Sequence, residues 1–275
     1  MFFADASGDQ ILVFNEKTGK LAQVIGYDST PLDMAVDESR HEVYVTNQVS
    51  NDISVIDAAT NRVTSTIPVE DNFRGSTDLP GVAVDSSRGR LYVTNFPDGK
   101  LFVFATKTKA LLNTVSLAIG VNAIAVAPST GRIYVSNALA GTVSVIDPTK
   151  LTTLANIKVG NEPNAIAIDS AGMIYVTNTS SNTVSIINSK NNKVTSTIKV
   201  GWAPVALAIR NKTSEVYVAN FLGDSVSVIS TTTMKVTRTF KGASHPRDIQ
   251  VNALTGVAYV ANSGSGVIWT VGARD

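Results

Sequence analysis

A repeated tetrapeptide constrains this chain more than any other feature of its sequence. Tyr-Val-Thr-Asn occurs unaltered at residues 44–47, 92–95 and 175–178, and close variants occur at 134–137, 217–220 and 259–262. A degraded copy, Phe-Phe-Ala-Asp, occupies residues 2–5. The aromatic residues that open the seven copies are separated by 42, 48, 42, 41, 42 and 42 residues. This period indicates one structural unit that is repeated seven times.

Each repeat contains four short runs that are rich in β-branched residues and in which apolar and polar residues alternate. These runs predict four strands. In the fifth repeat these runs are 166–169, 174–178, 184–188 and 194–198. Gly and Asn lie between the runs, where tight turns require a positive φ. Four strands and their connections need about 40 residues, which matches the period. The sequence therefore predicts an all-β fold, a β-propeller of seven blades with mostly four antiparallel strands each.

The repeats predict a single propeller domain over residues 1–275. Its units are expected at about 1–28, 29–76, 77–119, 120–160, 161–201, 202–242 and 243–275. The first unit lacks its inner strand and the seventh stops after residues 267–271, so both blades are expected to be incomplete. Six blades are the alternative, but seven hairpins between second and third strands favour seven. The seam between the first and seventh units is predicted to be the weakest point, unless a partner or another segment completes it.

The sequence resembles the YVTN family of β-propellers, which is named for the tetrapeptide. Ser-Asn-Thr-Val-Ser-Ile-Ile at 181–187 and Asn-Lys-Val-Thr-Ser-Thr-Ile-Lys-Val-Gly at 192–201 also carry the resemblance. It covers essentially the whole chain and implies seven blades. It also implies an extracellular, periplasmic or cell-surface location. A cytoplasmic location is the alternative, because the residues after Met1 do not form a signal peptide.

Composition removes several classes of site and partner. The chain has no cysteine and only two histidines, which excludes disulfides, zinc–thiolate sites and iron–sulfur clusters. Its 23 basic and 22 acidic residues give a net charge of +1, so we expect no nucleic acid partner. No apolar run approaches the roughly 20 residues of a membrane span. We expect no cofactor, no metal and no membrane span.

Most repeated residues are expected to form the scaffold. The tyrosines are predicted to fill the space between blades, and the asparagines to bond local backbone. Lys193, Lys235 and other basic residues of the fourth strands are expected to protect exposed sheet edges, with polyanion binding as the alternative. The acidic residues of the turns between second and third strands are expected to cap those turns rather than to bind calcium. These residues are Asp9, Asp52, Asp98 and Asp224.

Departures from the repeat indicate a ligand site in the loops at one end of the propeller. Phe73, Arg74 and Asp78 lie in the one enlarged interval, and His245 with Arg247 precedes the seventh inner strand. Trp202 lies in an equivalent loop, and a phenylalanine follows the repeated asparagine in two units. The predicted ligand-binding residues are Phe73, Arg74, Asp78, Phe96, Trp202, Phe221, His245 and Arg247. His41 falls in a turn at the opposite end and is expected to be structural.

The leading functional prediction is a non-enzymatic binding or cell-surface scaffold protein whose ligand is a protein, a peptide or a small molecule. The sequence has no G-x-S-x-G, H-E-x-x-H or phosphate-binding glycine loop. The alternative is a lyase or lactonase that acts on a cyclic ester or depsipeptide, because streptogramin lyases and seven-bladed lactonases share this fold. In that alternative His245 is the general acid or base, with Glu162 or Asp248 as its carboxylate partner.

Overall fold

The computed structural model describes residues 1–5, 8–26, 29–69 and 80–272. It is an all-β, seven-bladed β-propeller. Five sheets have four strands, and the first and last sheets have three, which confirms both the number of blades and the two incomplete ones. The alternative of six blades is therefore wrong. Within the described ranges the only helix is a single 3₁₀ turn, Asn211–Thr213, and no helix there is long and apolar enough to cross a membrane.

We label the blades A to G in chain order. Blade A contains β1 Phe2–Asp5, β2 Gln10–Phe14 and β3 Leu21–Gly26; blade B contains β4 Pro31–Asp37, β5 Glu42–Asn47, β6 Asp52–Asp57 and β7 Arg62–Pro68; blade C contains β8 Val82–Asp85, β9 Arg90–Asn95, β10 Lys100–Ala105 and β11 Leu111–Ser116. Blade D contains β12 Val121–Val126, β13 Ile133–Asn137, β14 Thr142–Ile146 and β15 Thr153–Lys158; blade E contains β16 Pro163–Ile168, β17 Met173–Asn178, β18 Thr183–Asn188 and β19 Lys193–Lys199. Blade F contains β20 Pro204–Arg210, β21 Glu215–Asn220, β22 Ser225–Ser230 and β23 Lys235–Lys241; blade G contains β24 Pro246–Val251, β25 Ala258–Asn262 and β26 Val267–Val271.

The strands of every sheet are arranged in chain order. Blade A lacks the inner strand, so its β2 and β3 correspond to the third and fourth strands of the other blades. In blades A to F the pairing of the third strand with the fourth shifts register between the fourth and fifth residues of the third strand. In blade F this shift lies between Val228 and Ile229. Such a bulge increases the local twist of the strand. The same irregularity in six blades shows that the third and fourth strands pair by one rule throughout.

The chain divides into two compact units. Unit 1 comprises Met1–Arg132 and Pro148–Thr152, and unit 2 comprises Ile133–Asp147 and Thr153–Asp275. Blades A, B and C belong to unit 1, and blades E, F and G belong to unit 2. Within unit 2 the first strands of successive blades, β16, β20 and β24, contact one another closely, whereas the fourth strands, β19 and β23, touch only marginally. First strands are therefore the inner strands, and fourth strands are the outer ones.

The core of unit 2 lies between neighbouring blades. Tyr175 and Ile186 of blade E are fully buried, and they pack in one cluster with Val218 and Ile229 of blade F. Both faces of a blade are covered in this way, so its middle strands are apolar on both sides and the strand alternation is weak. Tyr44, Tyr175 and Tyr217 each pack in a cluster that joins two neighbouring blades, as predicted from the repeat.

The asparagine that ends each second strand differs in part from the prediction. Asn178 Nδ2 donates to the hydroxyls of Thr183 at 3.0 Å and Ser185 at 2.9 Å, both on the neighbouring third strand. Its Oδ1 accepts the backbone N–H of Gly160 at 3.0 Å. The backbone group that Asn178 binds is therefore not local, whereas Asn95 and Asn137 accept the N–H groups of Asp98 and Ala140, three residues on, as predicted. The bonds to hydroxyl side chains depend on strand pairing, which the local sequence does not show.

Candidate ligand-binding face

The structure separates the predicted ligand-binding and catalytic residues into three groups. Phe73, Arg74 and Asp78 lie outside the described residues, so their role stays a prediction. Phe96 lies in unit 1 directly after β9, and its carbonyl accepts the N–H of Gly120 at 3.0 Å. The remaining residues all belong to unit 2, and they are Glu162, Trp202, Phe221, His245, Arg247 and Asp248.

Six connections lie side by side at one end of unit 2, and we call them the loop face. They are the loops 159–162, 200–203 and 242–245 and the turns 179–182, 221–224 and 263–266. Each loop is joined to the next turn along the chain by a backbone hydrogen bond. The N–H groups of Thr179, Phe221 and Ser263 donate to the carbonyls of Glu162, Ala203 and His245 at 2.9, 2.8 and 3.1 Å. The sequence-predicted loop residues are thus held on one continuous framework.

The last residue of each loop has a strained backbone. Glu162, Ala203 and His245 each precede a proline and have φ values of 50°, 52° and 47°. The left-handed region costs a non-glycine residue roughly 1–2 kcal/mol. Side chains of the preceding turn compensate for part of this cost, because Asn182 Oδ1 accepts the N–H of Ala203 and Asp224 Oδ1 accepts that of His245, both at 2.8 Å. Hydrogen bonds at its N–H and at its carbonyl therefore fix the backbone of His245 from opposite sides.

His245 has the richest surroundings on the loop face. Its ring lies 5.1 Å from the ring of Phe221 in an edge-to-face arrangement, and its Nδ1 lies 3.8 Å from Asp224 Oδ1. The hydroxyl of Ser263 donates to its carbonyl at 2.9 Å. A Cβ added to Gly264 would stand 2.8 Å from the imidazole Nδ1, so only glycine lets this turn approach so closely. The imidazole is held in place, yet 47% of the side chain remains exposed.

Trp202 lies on the other side of the Phe221 turn. Its carbonyl accepts the N–H of Gly223 at 3.0 Å, and a Cβ on Gly223 would stand 2.8 Å from the Trp202 backbone nitrogen. The residue is 63% exposed, which is unusual for the largest apolar side chain. Leu222, at the tip of the same turn, is also exposed. The turn 221–224 therefore contacts the backbone of both Trp202 and His245, and its Phe221 ring packs against the imidazole.

The carboxylates predicted to assist His245 have other partners. Glu162 accepts a hydrogen bond from the hydroxyl of Ser180. Asp248 lies half-buried on β24, where its Oδ1 accepts the N–H of Ile249 at 2.7 Å. Burial raises the pKa of Asp248, because the charged carboxylate is poorly solvated there. The carboxylate nearest the imidazole is Asp224, which sequence reasoning treated only as a turn cap. The sequence signal that could have identified Asp224 is its position at the end of the blade F turn, which lies beside the His245 loop.

Arg247 follows the loop at the second position of β24 and is exposed. Lys199 and Lys241 are exposed at the ends of β19 and β23, where those strands enter the loops. Exposed basic side chains therefore lie on strands that lead into or out of the loop face.

The acidic residues of the other turns bind protein groups. Asp9 Oδ1 accepts the N–H of Thr30 at 2.9 Å, and Asp52 Oδ1 accepts Asn47 Nδ2 at 2.7 Å. Asp98 lies 3.4 Å from Lys100 Nζ. These contacts differ from the predicted role, because none of them caps the turn that holds the acidic residue. Asp9 binds the backbone of the following loop, as Asp224 does at His245, whereas Asp52 binds a side chain and Asp98 pairs with a lysine. In the described part of the chain no group of three or more His, Asp or Glu side chains is placed to hold a metal ion.

One cavity formed by described residues lies in unit 1. It is an open groove of about 180 Å³, lined mainly by Ile67, Val69, Phe102, Phe104 and Leu111, with Lys109 beside them. Lys109 is engaged by Glu42 at 2.7 Å. This groove contains none of the residues predicted to bind a ligand.

Comparison with known proteins supports the fold. A family model for YNCE-like β-propellers matches residues 164–262, which fall in blades E, F and G. No curated protein sequence gives a significant match. Among solved structures, dihydro-heme d1 dehydrogenase NirN in complex with DHE matches with a TM-score of 0.70 and 16% sequence identity. The match covers 98% of this chain and 64% of that one, so the chain spans less than two thirds of that protein. At this identity the likeness shows the fold alone.

Proposed function

We propose that this protein is a non-enzymatic binding propeller that holds a protein, peptide or small-molecule ligand on the loop face of unit 2. The observation that carries the proposal is the turn 221–224, which contacts Trp202 on one side and His245 on the other. Phe221 adds a third ring, 5.1 Å from the imidazole. Exposed aromatic side chains are frequent centres of binding energy. Because hydrogen bonds fix the backbone around them, little ordering is needed when a ligand binds.

The charges around the rings favour a ligand with an apolar body and an anionic group. Lys199, Lys241 and Arg247 border the face, against the carboxylates of Glu162 and Asp224. Glu162 is already bonded to Ser180, and Asp224 caps the backbone of the His245 loop. The basic side chains thus have the greater freedom to meet a ligand. Complementary charge of this kind raises the association rate and selects the ligand's orientation.

We further propose that the protein acts outside the cytoplasm, as an exported or cell-surface scaffold of the YVTN-repeat type. The unaltered tetrapeptides at 44–47, 92–95 and 175–178 support this assignment. Detection of the protein in separated cell fractions tests it. Recovery in the cytoplasmic fraction alone would contradict this part of the proposal.

Selection of peptides tests the binding site directly. A random dodecapeptide display library is selected on the wild-type protein and, in parallel, on the variant Trp202→Ala/His245→Ala. Peptides with a shared aromatic and acidic pattern are expected on the wild type and not on the variant. Leu254→Ala is the control variant, because Leu254 is about as exposed as Trp202. It lies in a turn between first and second strands, which is not part of the loop face. The control variant should enrich the same peptides as the wild type.

Two results would overturn the proposed site. One is the absence of any shared pattern on the wild type, in the peptide library and in a parallel small-molecule screen. The other is an identical pattern on the double variant. Circular dichroism of the variant shows whether the sheets are intact, so that loss of folding is not mistaken for loss of binding.

A lyase or lactonase function is the second candidate, and one observation favours it. The carboxylate of Asp224 lies 3.8 Å from His245 Nδ1, where it can orient the imidazole for proton transfer. The test is turnover of a panel of lactones and depsipeptides, with and without magnesium. Activity that is lost in both His245→Ala and Asp224→Asn would support this function. Turnover no faster than in buffer would exclude it for those substrates.

A further inference from the structure

Blade C departs from the repeat at two positions of its third strand. In blades B, D, E and F a serine of the third strand lies opposite the valine of the repeated tetrapeptide, and these serines are Ser54, Ser144, Ser185 and Ser227. In blade C this position is Phe102, opposite Val93. Two residues on, the same four blades have isoleucine, whereas blade C has Phe104. Blade C therefore has two aromatic rings where the repeat requires none.

The two rings help to form the floor of the groove between blades B and C. Their centroids lie 6.3 Å apart, and the rings are tilted by 45°. Both side chains are buried, in one cluster with Ile67 and Val69 of blade B. Leu111, which is half exposed, lines the groove at the start of β11. The groove therefore has an apolar floor and an apolar side.

The volume of the groove sets the size of a ligand. A cavity of about 150 Å³ that is lined by Leu, Ile and Phe binds benzene in another protein. The groove has a volume of about 180 Å³ and the same kinds of lining residues. One aromatic ring, or a branched alkyl group of that size, therefore fits it.

Lys109 adds a charged group to this apolar lining. It has a φ of 62° and lies in the turn between β10 and β11, at the position of Asn61 in blade B and Asn192 in blade E. Its Nζ donates to Glu42 Oε2 at 2.7 Å and to the hydroxyl of Tyr44 at 2.8 Å. An ammonium group has three N–H donors. These two contacts therefore leave one donor for a ligand.

Glu42 does not neutralise the charge at this end of the groove. Arg40 Nε also donates to its carboxylate, at 2.9 Å, so that one anion is shared by two cations. Burial opposes ionisation of Glu42, but the hydrogen bonds from Arg40 and Lys109 outweigh it and lower the pKa. The carboxylate is therefore charged at neutral pH, and the group of three keeps a positive charge. An anionic group beside Lys109 would find complementary charge there.

We propose that the groove between blades B and C binds a small carboxylate whose apolar body has the size of one aromatic ring. The body lies against Phe102, Phe104 and Leu111, and the carboxylate accepts a hydrogen bond from Lys109 Nζ. The apolar contacts provide affinity, and the charged hydrogen bond selects the carboxylate over a neutral analogue. The groove belongs to unit 1 and the loop face to unit 2, so this site does not depend on the function proposed for the loop face.

The probe is 4-fluorophenylacetate, and its binding is followed by fluorine NMR. It is titrated into the wild-type protein and into Trp202→Ala/His245→Ala, which removes two side chains of the loop face. Saturable binding is expected in both proteins, with a millimolar affinity because the ligand is small. The matched probe is 4-fluorophenylacetamide, which has the same ring and no charge. It is expected to bind about tenfold more weakly.

Two variants introduce residues that other blades have at the same positions. Lys109→Asn gives blade C the residue of Asn61 and Asn192, which tolerates the positive φ, and it should abolish the preference for the carboxylate. Phe102→Ser gives blade C the serine of four other blades, and it should weaken both probes by about tenfold. Lys190→Asn is the control, because it removes an exposed lysine from the corresponding turn of blade E. It should leave both affinities unchanged.

Three results would overturn the proposal. The first is the absence of saturable binding of 4-fluorophenylacetate to the wild-type protein. The second is equal affinity for the two probes, or an unchanged preference in Lys109→Asn. The third is loss of binding in Trp202→Ala/His245→Ala, which would place the probe on the loop face. The two probes are compared on the same wild-type protein, so the test of charge does not depend on how a variant folds.

Discussion

The buried tyrosines predict a steep loss of stability in alkaline solution. Tyr44, Tyr92, Tyr175 and Tyr217 are completely buried in second strands. Burial raises the pKa of all four hydroxyls, because a tyrosinate at these positions would lose its hydration. The folded protein therefore keeps four protons that the unfolded chain releases above about pH 10.

Tyr175 shows how a neighbouring charge strengthens this effect. Its hydroxyl donates to Asp169 Oδ2 at 3.0 Å. The other oxygen of Asp169 accepts the N–H groups of Ala171 at 2.9 Å and Met173 at 2.8 Å. Desolvation is the main cause of the raised pKa of Tyr175, and the adjacent carboxylate adds to it. A tyrosinate here would be both dehydrated and repelled.

The size and sign of the effect follow from proton linkage. A raised folded-state pKa contributes stability that is complete below the unfolded pKa and is lost as the pH rises through the folded one. Between those two pKa values each tyrosine lowers the free energy of unfolding by about 1.4 kcal/mol for every pH unit of increase. Four tyrosines therefore cost up to about 6 kcal/mol at about pH 11. Many domains have a total stability of only about 5–15 kcal/mol, so unfolding in this range is expected.

Urea unfolding measured between about pH 8 and about pH 11 tests this expectation. Circular dichroism gives the free energy of unfolding, and tyrosinate absorbance gives the ionisation. In Tyr175→Phe the alkaline loss should shrink by about 1.4 kcal/mol per pH unit. At neutral pH this variant should be less stable by about 1–3 kcal/mol, because a buried hydrogen bond to a carboxylate is lost. Leu254→Ala, at an exposed turn, should leave the pH dependence unchanged.

Ionisation of all tyrosines near pH 10 in protein that keeps its native circular dichroism would refute this reasoning. So would an unchanged pH dependence in Tyr175→Phe. Either result would mean that the second-strand hydroxyls are accessible to water in the folded state.

Three further variants have expected outcomes. Ile186→Ala should lower the free energy of unfolding by about 2–5 kcal/mol, measured in urea, because Ile186 is fully buried between blades E and F; a loss under about 1 kcal/mol would contradict tight packing there. Gly264→Ala should displace the His245 ring and change its NMR chemical shifts, since the new Cβ would stand 2.8 Å from Nδ1; unchanged imidazole signals would show that the turn relaxes elsewhere. Asp224→Ala should cost about 1–2 kcal/mol and speed exchange of the His245 amide, which loses its acceptor; an amide that exchanges as slowly as in the wild type would contradict this cap.

The sequence predicts the blades because their period and strand content repeat through the whole chain. Seven copies of the second-strand motif fix the blade number, and the β-branched runs around them fix the strands of each blade. The partners of Asn178 are less accessible to prediction, since they are hydroxyls of the neighbouring third strand. The register shift in that pairing is also invisible in the local sequence, because it depends on how two strands twist together.

The candidate site is predictable in part for a related reason. Departures from the repeat identify Trp202, Phe221 and His245, and the structure places them around one turn. They do not identify Asp224 as the neighbour of the imidazole, because that contact joins a turn of one blade to the loop of the next. Contacts between blades are not encoded within a single repeat, so reading one repeat at a time misses them.

The strained residue before each inner-strand proline has a consequence for how such a protein diversifies. Thr30, Glu162, Ala203 and His245 share a left-handed backbone but have unrelated side chains. Main-chain hydrogen bonds hold the carbonyls of all four, so the conformation does not depend on what the side chain is. Blades B, E, F and G therefore each offer one interchangeable display position on an unchanging frame. Substituting these positions in combination should retune which molecules the protein recognises, while the frame that presents them stays the same.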